Sequence, residues 1–170
     1  MKTNPPLVKI VQDMDNAIRV MQDAATWLAE SGKKPSKWWQ PKNMNREFLL
    51  RHAEPDEFFV ALVDGDPAAS VILQDSERNQ SWKSVDGDRP QSALYVHWLC
   101  VARRFSGTGL PKVMVDFARD QARKQKLLVL RLDTNADETK LRKIYIALGF
   151  RLVGTQQEES QNTALYQKLV

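Results

Sequence analysis

A mixed α/β fold is what this 170-residue sequence predicts. Three observations carry that prediction. Stretches with apolar residues at helical spacing alternate with short runs of β-branched, aromatic and aliphatic residues. The order of these stretches is helices, then a strand hairpin, then β-α-β-α-β-β, which gives a mixed sheet with helices packed on it. Between Leu94 and Lys124 a strand, a glycine-containing turn and an amphipathic helix follow one another without interruption.

Taken in order, Leu7 to Val11 reads as a short strand. Asp13 or Asp15 caps a helix that carries Met14, Ala17, Ile18, Met21, Ala24, Ala25 and Leu28 on one stripe, and Ser31-Gly32 ends it. Lys33 to Pro41 is a basic, proline-punctuated connection with Trp38 and Trp39 side by side, followed by a short helix near Asn45 to His52 with Phe48 and Leu49 facing inward. Glu54-Pro55-Asp56 breaks that pattern. Glu57 to Val63 and Ala68 to Gln74 read as strands around the turn signal Asp64-Gly65-Asp66-Pro67. Asp75 to Ser92 is a polar connection longer than compact domains normally use, and such loops are functional or disordered.

Leu94 to Val101 is the central strand. Arg103 to Gly109 is a basic turn, and the helix after it places Leu110, Val113, Met114, Phe117 and Ala118 at helical spacing. Leu127 to Asp133 is a strand, Glu138 to Leu148 a helix closed by Gly149, and Phe150 to Gln156 and Ala164 to Leu169 are the last two strands.

The length fits one domain, residues 1–170, with a sizeable core. Hydrophobic residues at 42% and charged residues at 27% place the chain among ordinary globular proteins. A net charge of +4 and a pI near 9.2 suit an anionic ligand but are too mild and too evenly spread to imply nucleic acid. The single cysteine, Cys100, excludes an internal disulfide and fits a reducing compartment. No stretch is apolar for long enough to span a bilayer, so no membrane is expected. Met1 to Lys9 has two prolines and no apolar core of signal-peptide length. The expected location is cytoplasmic.

The strand–turn–helix unit is a device for holding phosphate. The first amides of a helix have no partner within it, and the helix dipole favours negative charge there. Gly107 and Gly109 remove the Cβ atoms that would keep an oxyanion from those amides. Arg103 and Arg104 add positive charge at the rim. A P-loop is excluded, because Gly109 is followed by Leu110 and Pro111 instead of Lys and a hydroxyl residue. A dinucleotide fingerprint lacks its third glycine, since Lys112 stands there. The pattern Arg-x-x-Gly-x-Gly is met by Arg104, Gly107 and Gly109.

On these residues the sequence resembles the GNAT (GCN5-related N-acetyltransferase) superfamily. Leu99-Cys100-Val101 looks like the end of that family's central strand, whose backbone pairs with the pantetheine arm of acetyl-CoA. Arg104-Phe105-Ser106-Gly107-Thr108-Gly109, running into Leu110, looks like its pyrophosphate loop. Leu130-Arg131-Leu132-Asp133 looks like the strand that splays from the central one. Leu141-Arg142-Lys143-Ile144-Tyr145 with Leu148-Gly149-Phe150 looks like its last helix and the strand after it. Trp27 to Gly32 followed by a Trp-Trp pair is similar to one bacterial subgroup.

The resemblance implies a mostly antiparallel central sheet of about six or seven strands flanked by about four helices. That sheet is expected to splay between the central strand, 94–101, and the next, 127–133. It implies acetyl-CoA as co-substrate, no metal, an amine acceptor of small-molecule or peptide nature, and room for a homodimer.

Tyr145 is implied as the acid that protonates the departing CoA sulfur; as residue chemistry alone it also reads as a buried helix tyrosine. The family often has a carboxylate where His97 stands, to deprotonate the amine directly or through water. Histidine titrates near neutrality and can do the same work, and a core histidine is the competing reading. On an ideal strand Tyr95, His97, Leu99 and Val101 share one face, with Cys100 on the other, where it packs.

Trp38, Trp39 and Trp82 fall in the two connections that flank the acceptor in this fold, and each also reads as ordinary packing. Two positions depart from the family pattern. Glu138 stands where an asparagine is common, with Asn135 nearby to take its place at the cofactor. Pro111 stands where a small residue is common. Both bear on cofactor affinity and keep open a second reading, a CoA-binding regulatory module without catalysis.

Overall fold

The computed structural model describes residues 5–33, 36–78, 80–158 and 161–170. Lys34, part of the basic run before Trp38, lies outside them. Among the described residues, seven strands and five α-helices follow one another: β1 (Val8–Gln12), α1 (Met14–Glu30), α2 (Arg46–Leu49), β2 (Phe58–Val63), β3 (Asp66–Gln74), α3 (Lys83–Asp86), β4 (Leu94–Val101), α4 (Leu110–Lys124), β5 (Val129–Asn135), α5 (Thr139–Ala147), β6 (Arg151–Gln157) and β7 (Asn162–Leu169). The strands make one mixed, mostly antiparallel sheet in the order β1-β2-β3-β4-β5-β7-β6. The chain divides into two compact units, Met1–Ile72 with Trp98–Met114, and Leu73–His97 with Val115–Val170.

In the first unit, Asp13 caps α1: its extended backbone turns the chain and its side chain accepts the Asn16 amide at 3.0 Å. Met14, Ala17, Ile18, Met21 and Ala25 of α1 form a core with Met44, Leu49, Phe58, Val60 and Ile72. β1 and β3 flank β2 in antiparallel register. The hairpin between β2 and β3 is tighter than the four-residue turn signal implied. Val63 pairs with Asp66, leaving only Asp64 and Gly65 in the loop, at φ 49° and 90°. Left-handed backbone at both loop positions matches the twist of the flanking strands, so β3 begins two residues early.

In the second unit, Trp82, Ala93, Tyr95, Val129 and Leu165 form the core, with Val85 and Val153 against it. β5 pairs antiparallel with β7 along its whole length, and β7 with β6. β4 and β5 are parallel, but only Leu94↔Leu130 and Tyr95↔Arg131 are paired. The long polar connection between β3 and β4, read as functional or disordered, contains α3 and is anchored by Trp82, which is 2% exposed.

Gly149 closes α5 at φ 89°, and the Phe150 amide turns back to the Tyr145 carbonyl at 3.1 Å. A Cβ there would meet the Lys168 ammonium at 3.2 Å. That ammonium donates to the Leu148 carbonyl at 2.7 Å, so a side chain there would have to push it aside as well as adopt the left-handed backbone.

Candidate active site

The glycine turn is built from the end of β4 outward. Ala102 is fixed by donating its amide to the Ala68 carbonyl at 2.8 Å, and the Arg103 amide donates to the Asp23 carboxylate at 2.6 Å. A single helical turn, Arg103–Phe105, follows, and the Ser106 amide closes it on the Arg103 carbonyl. Gly107 and Gly109 both take left-handed backbone, at φ 78° and 79°. The Thr108 hydroxyl donates to the Phe105 carbonyl at 2.5 Å and stiffens the loop. The next backbone bond is Lys112 to Gly109.

In between, the amides of Gly107, Thr108, Gly109 and Leu110 have no partner among the described residues. A Cβ built on either glycine meets nothing within 4 Å, and residues 107–109 are exposed. Pro111 occupies the second helical position, where a missing N–H costs the helix nothing. Arg104, an exposed loop residue, pairs with Asp66 at 3.1 Å and lies over the Phe105 ring at 4.6 Å. Four unsatisfied donors, an open approach and a nearby guanidinium suit a pyrophosphate.

Leu99, Cys100 and Val101 are half-buried strand residues. The Cys100 sulfur lies 3.2 Å from the Ser70 hydroxyl and packs against the first unit's core. Burial pushes its thiol up to about 12, which leaves it a packing group and not a nucleophile. Trp98 has φ 48°, a backbone conformation that bulky residues rarely adopt. Simple alternation along β4 therefore stops at Trp98, and the shared face expected from Tyr95 to Val101 does not run through the strand. Trp98 instead sits in an aromatic group with Trp38 (6.4 Å between centroids) and His52 (6.1 Å). Phe48 completes it, 6.3 Å from Trp38, while Trp39 packs against the core.

In the second unit, the His97 Nδ1 lies 3.8 Å from a carboxylate oxygen of Asp133, with side chains 19% and 34% exposed. The Tyr95 ring lies parallel to that of His97 at 6.4 Å. Arg131, 1% exposed, makes two 2.7 Å bonds to the Asp86 carboxylate, donates to Gln91 and Tyr95, and stacks over Trp82 at 4.3 Å. The hydrogen bond from Arg131 holds the Asp86 carboxyl below the usual carboxylate range. Trp82, 2% exposed, is thus packed in the core, with Arg131 over its ring and Tyr95 edge-on to it.

Tyr145 is 7% exposed, edge-on to Phe150 and tilted against Tyr166. The Tyr166 hydroxyl accepts from Arg142 at 2.8 Å. The Asn135 side chain accepts the Asp137 amide at 3.0 Å, shaping the turn into α5 that Glu138 begins. Sequence reasoning missed Asp133, Asp86 and Ser70 as partners of His97, Arg131 and Cys100. Only for Asp133 did a signal exist: continuing the parallel register of β4 and β5 by two residues sets it opposite His97.

Among the described residues, no helix is long and apolar enough to cross a membrane, and no group of three His, Cys, Asp or Glu is placed to hold a metal ion.

Residues 21–150 match the model of the acetyltransferase (GNAT) family. A curated Bacillus subtilis (strain 168) protein, "Uncharacterized N-acetyltransferase YesJ", is 25% identical over 147 residues, or 85% of this chain and 80% of that one. The crystal structure of a GNAT family acetyltransferase from Listeria monocytogenes 4b F2365 aligns over 97% of this chain and 95% of that chain, with a TM-score of 0.73 and 25% identity. PaiA N-acetyltransferase from Thermoplasma acidophilum, solved in complex with coenzyme A, aligns over 96% of this chain and 99% of that chain at a TM-score of 0.68. Its 14% identity speaks to the fold alone.

Proposed function

The chain belongs to the acetyltransferase (GNAT) family, and from that premise we propose that it is a single-domain, acetyl-CoA-dependent N-acyltransferase acting on a primary amine. The observation that carries this reading is the exposed glycine turn, with four amides that have no partner among the described residues, before a fifteen-residue helix. The amides of Gly107 to Leu110 and the guanidinium of Arg104 would bind the CoA pyrophosphate. The backbone of Leu99, Cys100 and Val101 would hold the pantetheine arm, with Asn135 further along it. CoA bound to a relative of the same fold supports the choice of co-substrate.

In the reaction, the amine nitrogen forms a bond to the thioester carbonyl carbon and the C–S bond breaks. His97 takes the proton the amine gives up, and Tyr145 gives a proton to the departing sulfur. The products are an amide and free CoA. We assign the acceptor side to the connection carrying Trp38 and Trp39, and Trp82 to packing.

Calorimetry with acetyl-CoA and a thiol-release screen over amines test this reading. The expected result is binding, a weakening of about tenfold in Arg104→Ala as a charge-assisted contact is lost, and CoA release with at least one class of amine. No binding at millimolar acetyl-CoA would overturn it. Binding without thiol release from any amine would favour the regulatory module instead.

A further inference from the structure

The two backbone pairs that join β4 to β5, Leu94↔Leu130 and Tyr95↔Arg131, define a parallel register. Two residues further along each strand stand His97 and Asp133. Backbone pairing has ended there, yet the two side chains meet at 3.8 Å. The contact therefore spans the place where the strands part.

What holds the histidine is also visible. Tyr95 and His97 are two apart in β4, and their rings are parallel within 8°. Tyr95 is held by the Arg131 guanidinium at its hydroxyl, and Arg131 is locked by two bonds to Asp86. Arg131 and Asp133 are likewise two apart in β5, so they project to the same side of it. His97 thus has an aromatic ring fixed beside its face and a carboxylate at one nitrogen.

We propose that Asp133 is the positioning residue for His97: by accepting the Nδ1–H it favours the tautomer that carries its lone pair on Nε2, the atom that takes the proton from the amine. The inference rests on the reading of His97 as the base. A neutral imidazole has one donor and one acceptor nitrogen, and the partner of the first decides which the second is. At 3.8 Å the pair is at ion-pair distance, longer than a hydrogen bond. Catalytic hydrogen bonds are commonly long before substrate binds. Both groups stay partly exposed, so the pair is reachable by an acceptor.

During transfer the amine proton goes to Nε2, the Nδ1 proton stays in place, and the imidazolium so formed faces the Asp133 carboxylate.

The test is long-range nitrogen–proton NMR of the histidine ring, which needs no turnover. The chain has two histidines, and His52→Gln assigns the signals. The expected wild-type spectrum shows His97 protonated at Nδ1. In Asp133→Ala the ring shifts toward the other tautomer, and kcat falls about 10–100-fold while the KM for acetyl-CoA stays within about twofold. Asp133→Asn, whose amide oxygen still accepts, restores the tautomer and most of kcat.

An unchanged tautomer in Asp133→Ala, or no rescue by Asn, would overturn the proposal. If the alanine variant fails to fold, Asp133→Leu, of similar volume but with no acceptor, reads the same contact, and an unchanged Nδ1–H tautomer in it would count against the proposal. Full turnover in His97→Ala would remove the base and this proposal with it, leaving acyl transfer intact. Absence of transfer in the wild type would instead defeat the functional reading while the tautomer measurement still stands.

Discussion

Arg131→Met is expected to destabilise the protein by about 3–5 kcal/mol, the typical cost of removing one partner of a buried ion pair. Arg131 is 1% exposed and the Asp86 side chain 9%, so solvent cannot replace the lost guanidinium. The substitution also strips the cation from the Trp82 face and the donors from Gln91 and Tyr95. Chemical denaturation with guanidinium chloride measures the loss. Adding Asp86→Leu in the same chain is expected to recover much of it, since an apolar pair of similar volume is often as stable as the ion pair. A single variant within about 0.5 kcal/mol of wild type would show that the pair holds nothing.

The same pair gives a pH signature. Asp86 is held below its ordinary value of 3.8, first by the hydrogen bond from Arg131. Its folded form therefore binds protons less readily than its unfolded form. The stability it contributes is fully present above about pH 4 and is lost as pH falls through the lower folded-state value. In Arg131→Met that part of the acid dependence is expected to flatten.

Tyr145→Phe is expected to lower kcat by about 10²–10⁴-fold, the usual contribution of a positioned acid, with acetyl-CoA affinity little changed. The ring does the packing, against Phe150 and Tyr166 at 6.2 and 6.3 Å, and phenylalanine keeps both contacts. Stability should stay within about 1 kcal/mol of wild type. A drop in kcat with intact stability and binding isolates the hydroxyl. Unchanged kcat would take Tyr145 out of the chemistry.

Features set by neighbours in sequence were readable before the structure. Asp13 as a cap, Gly149 as a helix stop and the glycines of the 107–109 turn depend on local dihedrals and local amides, and each lies where the residues implied. The strand–turn–helix unit was legible for the same reason, and its bounds from Leu94 to Val101 were read correctly.

Features made by residues far apart were not legible. Arg131 and Asp86 are 45 positions apart, and nothing near either one announces the other. The short helix Lys83–Asp86 has few residues to show a period and exists through the burial of Trp82. The left-handed backbone of Trp98 is invisible in a residue type that favours strands, since tertiary packing on Trp38 and His52 accompanies it. The burial of Trp82 was open in the sequence on the same ground, because an indole in a polar connection reads alike whether it faces a ligand or a core.

The lone thiol of Cys100 has a practical reach. With the group pushed up to about 12, roughly one molecule in ten thousand carries a thiolate at pH 8. Disulfide reagents that titrate liberated CoA will then report product against almost no signal from the folded protein. Run instead on the protein alone, the same reagents become a stopwatch: the slow colour follows how often the Cys100 thiol leaves Ser70 and ionises.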